Sequence, residues 1–161
     1  MASSGGKRIV EADEYVLKDS VGSVRAKLAM GEGGPALNLY DDNGQPRVTV
    51  GVATSGPALA IYDANGKSRA SVVVLADGPH LTLYDAEGKV RAKWAVLDNV
   101  PSLTFDDNDG RIRLELAVTP YGPEIDMFDA QGKPVYSMKV KWAFARGTDR
   151  HIYKSEPFKF K

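Results

Sequence analysis

Hydrophobic and polar residues alternate along most of this chain, and the alternation restarts at regular intervals. In Ala36-Leu-Asn-Leu-Tyr40 and again in Arg47-Val-Thr-Val-Gly-Val52, leucine or valine occupies every second position. That is the pattern of a half-buried β-strand. Between the two runs lies Asp41-Asp-Asn-Gly-Gln-Pro46. An aspartate there caps its own turn through its side chain, and the glycine supplies positive φ, so the segment predicts a β-hairpin. No stretch carries a helical apolar stripe, and little or no helix is predicted.

The hairpin recurs. Gly22, Gly44, Gly66, Gly88, Gly110 and Gly132 stand 22 residues apart, as do Asp19, Asp41, Asp63, Asp85, Asp107 and Asp129. Arg25, Arg47, Arg69, Arg91 and Arg113 keep the same spacing, with Val135 in the sixth slot, and so do Pro35, Pro57, Pro79, Pro101 and Pro123. Six units follow one another from about Ala12 to Ser137 without insertion or deletion. A repeat of this kind is one supersecondary unit whose apolar face is buried only by its neighbours.

A register follows from the pattern. Pairing Leu39 with Val48 sets Leu37 opposite Val50 and Tyr40 opposite Arg47, with Asn38 opposite Thr49 on the other face. A slip of one residue would mix the two faces. The connection Thr54-Ser-Gly-Pro57 and its equivalents are short, so consecutive units should also be antiparallel neighbours. The fold predicted is all-β: an antiparallel meander of about twelve strands built from six 22-residue β-hairpin repeats. One face of such a sheet is apolar throughout and needs cover. A single closed barrel of this size would be too wide for leucine and valine to fill. The expectation is an oligomeric prism of identical chains, with a trimer as its closure, or else a sheet folded over on itself.

Gly56-Pro-Ala-Leu-Ala-Ile-Tyr-Asp-Ala-Asn-Gly-Lys-Ser-Arg-Ala70 and Gly78-Pro-His-Leu-Thr-Leu-Tyr-Asp-Ala-Glu-Gly-Lys-Val-Arg-Ala92 share one phrase, G-P-x-L-x-L-Y-D-x-x-G-K-x-R-A, counting Ile61 with the leucines. It resembles the tandem repeats of a group of uncharacterised bacterial proteins, over most of residues 12–140. The resemblance implies a hairpin-repeat fold and brings no catalytic residue with it. Weaker likenesses are to the YD repeats of Rhs-type toxin shells and to tubby-like barrels. The former lack the regular Gly-Pro, and the latter need a central helix that this sequence does not supply.

Three regions are expected: a flexible N-terminal tail at 1–11, the repeat domain at 12–140, and a C-terminal hairpin or docking tail at 141–161. The last breaks the period. It carries Trp142, Phe144, Arg146, Arg150, Tyr153, Phe158 and Phe160, the aromatic and arginine residues that anchor interfaces. The whole chain holds 21 cationic and 21 anionic side chains. Residues 141–161 hold six of the cations and two of the anions, a balance of +4, so 1–140 carries −4.

That overall neutrality argues against nucleic-acid binding, which requires a broad basic face. The absence of cysteine excludes disulfides and thiolate metal sites. No apolar run is long enough for a membrane helix. The first residues lack the apolar core of a signal peptide, which points to the cytoplasm, with a surface or virion-associated fibre as the alternative. His80 and His151 sit in no metal-ligand spacing. Asp106-Asp-Asn-Asp-Gly110 departs from the calcium-loop pattern and lacks its final glutamate. Neither a cofactor nor an enzymatic activity is expected, because a uniform repeat supplies no cleft of converging acid and base groups. One chemical feature stands out: Tyr40, Tyr62 and Tyr84 beside Arg47, Arg69 and Arg91. This Tyr/Arg ladder is either cross-strand support or a strip for a carbohydrate or protein ligand. The function expected is a non-catalytic structural or scaffolding protein that self-associates through the apolar face and docks into a larger assembly. The alternative is a binding module using the Tyr/Arg face.

Overall fold

In a computed structural model, residues 9–140 are described. They form six hairpins: β1 (Glu14–Lys18) with β2 (Val24–Gly31), β3 (Gly34–Tyr40) with β4 (Pro46–Ala53), β5 (Gly56–Tyr62) with β6 (Ser68–Leu75), β7 (Gly78–Tyr84) with β8 (Val90–Leu97), β9 (Val100–Asp106) with β10 (Ile112–Thr119), and β11 (Gly122–Phe128) with β12 (Pro134–Lys139). All twelve lie in one antiparallel sheet in sequence order, and the described residues contain no helix. Each strand touches only the strands before and after it. The sheet is therefore open, and it does not fold over on itself.

The predicted pairing holds at its centre, with Leu37 opposite Val50, Asn38 opposite Thr49 and Leu39 opposite Val48. Because every unit repeats that register, residues line up in rows across the whole sheet. The middle apolar row runs Tyr15, Leu28, Leu37, Val50, Leu59, Val72, Leu81, Trp94, Leu103, Leu116, Ile125, Met138. One flanking row contains Ala26, Leu39, Val48, Ile61, Ala70, Leu83 and Ala92. The other alternates proline with larger side chains, in the pairs Met30–Pro35, Val52–Pro57, Val74–Pro79 and Val96–Pro101. On the opposite face the central row includes Asn38, Thr49, Ala60, Ser71, Thr82, Lys93, Thr104 and Glu115.

One pairing differs from the expectation. Tyr40 stands opposite Pro46, and Arg47 is an extra residue squeezed in before Val48. The same β-bulge recurs in every hairpin, so Arg69 and Arg91 are likewise displaced from Tyr62 and Tyr84. The turn explains the displacement. Asp63 N–H donates to the Lys67 carbonyl at 2.9 Å and the Gly66 N–H donates to the Asp63 carbonyl at 3.1 Å. Asp63 Oδ1 accepts from the amides of Asn65 and Lys67 at 2.9 and 3.1 Å. This closes the turn at Lys67, and one spare residue is then absorbed as a bulge before the apolar ladder begins.

Burial is asymmetric. The small-residue face is the covered one, with Ala95, Thr82 and Thr104 at 2%, 7% and 5% exposure. The leucine and valine face is open: Val52 is 53% and Trp94 60% exposed. Long arginine and tyrosine side chains lie across the first face, whereas among the described residues nothing lies across the second.

Candidate functional site

The arginine column is the first candidate, and its surroundings account for it. In the first five hairpins the bulge residue is an arginine displaced from cross-strand pairing. Arg47 Nε donates to the Tyr62 carbonyl of the next hairpin at 3.0 Å, while its Nη1 reaches Asp41 Oδ2 in its own turn at 3.4 Å. Arg113 does the same with Phe128 and Asp107, at 2.8 and 3.3 Å. Arg69 and Arg91 stand 3.7 and 3.8 Å from Asp63 and Asp85, and Arg91 also bonds Asn108 of the following turn. The fork geometry of arginine suits this double role. Arg25, Arg47, Arg91 and Arg113 thus link successive repeats. The register sets Tyr40, Tyr62 and Tyr84 opposite Pro46, Ser68 and Val90 rather than opposite Arg47, Arg69 and Arg91, which corrects the expected Tyr/Arg pairing.

The turn aspartates are electrostatically settled as well. Asp41, Asp63, Asp85 and Asp107 all have carboxyls held below the ordinary 3.8. The chief cause is the backbone amide four residues on, with partial burial opposing it, and the arginine beside each turn adds to the effect.

Tyr40, Tyr62 and Tyr84 remain half-buried in a row. Tyr84 Oη lies 3.2 Å from Ser71 Oγ. Beside Tyr62 is a shallow depression of about 260 Å³ floored by Ala36, Gly51, Ala58 and Ala60. Asp106 takes the place of tyrosine one unit further along. Its Oδ1 is buried without a hydrogen-bond partner, and burial, reinforced by the neighbouring Asp107, pushes its pKa up against the pull of Lys93 and Arg91. Sequence reasoning weighed Asp106 only as the start of a calcium-like loop, although an aspartate in a column of tyrosines was a visible signal.

His80 Nε2 lies 3.0 Å from Asp77 Oδ1 at a hairpin end. Among the described residues no group of three or more His, Asp or Glu side chains could hold a metal ion, and no helix is long and apolar enough to cross a membrane. Residues Trp142, Phe144, Arg146, Arg150, Tyr153, Phe158 and Phe160 lie outside the described residues.

The second candidate is the apolar face. With about 4.8 Å between strands and about 3.3 Å per residue, twelve strands of seven or eight residues present about 1,300 Å² of footprint. The largest apolar patch on an ordinary monomer is about 300–600 Å². A groove of about 500 Å³ crosses this face over hairpins two and three, between Leu37, Val50, Leu59 and Val72. No protein-family model and no curated protein matches the chain in sequence.

Proposed function

We propose that this protein is a non-catalytic structural module whose work is to assemble, with the apolar face of the sheet as its self-association surface. The observation that supports the reading is the uninterrupted middle row from Tyr15 to Met138, uncovered by any other strand among the described residues, exposed from Tyr15 to Trp94 except at Leu59 and half-buried from Leu103 on. Burial of apolar area stabilises by roughly 25 cal/mol per Å², so a face of this size strongly favours association. The charge split between residues 141–161 and the remainder supports a second, electrostatic contact within a larger assembly. A binding module on the tyrosine row is the second reading. It rests on the depression beside Tyr62 and would be tested by titration with oligosaccharides.

Light scattering tests the main reading. The expected result is a mass above the 17.4 kDa of one chain, with little binding of a dye that reports exposed apolar surface. A Leu59→Lys/Leu81→Lys double variant should lose the assembly, whereas Asn38→Lys on the opposite face should keep it. A monodisperse 17.4 kDa species that does not bind the dye would overturn the proposal.

A further inference from the structure

Resting on self-association through the apolar face, the geometry points to one arrangement: three parallel copies closed as a triangular prism. The strands lie across the axis and the middle apolar row faces it. Strands of seven or eight residues are about 24 Å long. Three sheets of that width form a triangle whose centre is about 7 Å from each side, with adjacent same-face rows about 6.6 Å apart. The depth available is then about 7 Å over the middle row and about 3 Å over the flanking rows, whereas two stacked sheets about 10 Å apart leave about 5 Å everywhere.

Over the first four hairpins the residues follow the triangular profile. The middle row contains nothing smaller than valine, and its most protruding member is Trp94. The flanking rows are interrupted by Ala26, Ala70 and Ala92 on one side. On the other side they are interrupted by Pro57, Pro79 and Pro101. Large and small side chains alternate along the proline row and, over the first four hairpins, along the alanine row, so the corner rows of two chains interlock there; the alanine row ends in Phe105, Leu114, Met127 and Tyr136, which fill the corner at the far end. A repeat with no insertion keeps equivalent strands of three copies at one level, and each corner closes by the same contacts throughout. The footprint of about 1,300 Å² per chain exceeds the roughly 800 Å² per partner of a stable interface. The occupant of the apolar face is therefore two further copies of this chain, with the arginine-linked face turned outward.

The test is the mass of the full chain in solution, by native mass spectrometry, together with one cross-link. The expected mass is 3 × 17.4 = 52.2 kDa. The chain has no cysteine, so a Leu37→Cys variant carries a single thiol. Parallel copies set this position about 12 Å from its two counterparts across the axis, too far for a disulfide but within reach of a short bis-maleimide added as the chain is refolded, which should give chain-to-chain cross-links. An antiparallel pair would set β3 opposite β10 and give none. A mass of 2 × 17.4 = 34.8 kDa, or any other oligomer not built of threes, overturns the prism and leaves self-association standing. A trimer lacking the Leu37→Cys cross-link overturns the parallel arrangement. A monomer overturns both readings.

Discussion

Replacing Gly78 with alanine should damage this sheet far more than replacing Gly88, although both glycines have positive φ. Gly88 sits in the aspartate turn at φ +87, and a Cβ there would meet nothing within 4 Å. Its cost is backbone strain alone, about 1–2 kcal/mol. Gly78 follows the two-residue turn between hairpins at φ +132, and a Cβ there would lie 2.0 Å from the Val96 carbonyl oxygen. Strain of about 1–3 kcal/mol is then joined by a backbone collision of about 1–3 kcal/mol. The chain contains its own control. At the next equivalent turn Val100 replaces the glycine, and positive φ moves into the turn itself, at Asp98 (+49) and Asn99 (+65). Two consecutive positive-φ residues make a type I′ turn. Converting Leu75-Ala-Asp-Gly78 to Leu-Asp-Asn-Val should therefore recover most of what Gly78→Val alone loses. Denaturant midpoints by circular dichroism, at one chain concentration, would measure this. Equal losses for Gly78→Ala and Gly88→Ala, or no recovery in the triple variant, would refute the reasoning.

Arg47→Ala should cost about 1 kcal/mol through the lost bridge to Tyr62, discounted for its partial exposure, and Arg47→Lys should not restore it; thermal melts against Arg111→Ala, expected near neutral, would check this. Stability should fall in acid. Asp41, Asp63, Asp85 and Asp107 are depressed in the folded state, so what they contribute is present above about pH 4 and is lost as pH falls through their folded values; Asp85→Asn should flatten that dependence in melts between pH 7 and pH 2. Asp106→Tyr, which matches Tyr40, Tyr62 and Tyr84, should raise stability by about 1 kcal/mol by removing an unpartnered buried oxygen. Deleting residues 145–161 should preserve the β-sheet circular dichroism and lower the highest assembly, with high salt mimicking the loss; unfolding of the truncated chain would count against docking.

Strands, turns and central register were legible because alternation and aspartate–glycine spacing each carry a local physical cause. The bulge was not. Pro46 and Arg47 both read as non-apolar, so one extra residue between the turn and Val48 leaves no trace in the pattern. The arginine partners went with it, since Arg47 reaches Tyr62 only when displaced from pairing. The glycine before each proline read as an ordinary turn residue. Its second constraint comes from a strand 18 residues later, although the exchange of Gly78 for Val100 beside Asp98-Asn99 was a readable hint. Alternation also identified which face is apolar, but coverage depends on what other side chains and other chains lay over it.

Because no strand touches any but its two neighbours, the molecule is a measuring stick in the thermodynamic as well as the geometric sense. Each hairpin adds about 9.6 Å along the sheet and one more copy of the same local and interfacial energies. Excising one whole 22-residue unit removes a graduation without disturbing register on either side. Length and stability should therefore change in equal steps with repeat number, leaving the cross-section of any assembly unaltered. Evolution of such a gene by unequal crossing-over would produce shorter and longer rods that still fit together only with partners of their own count.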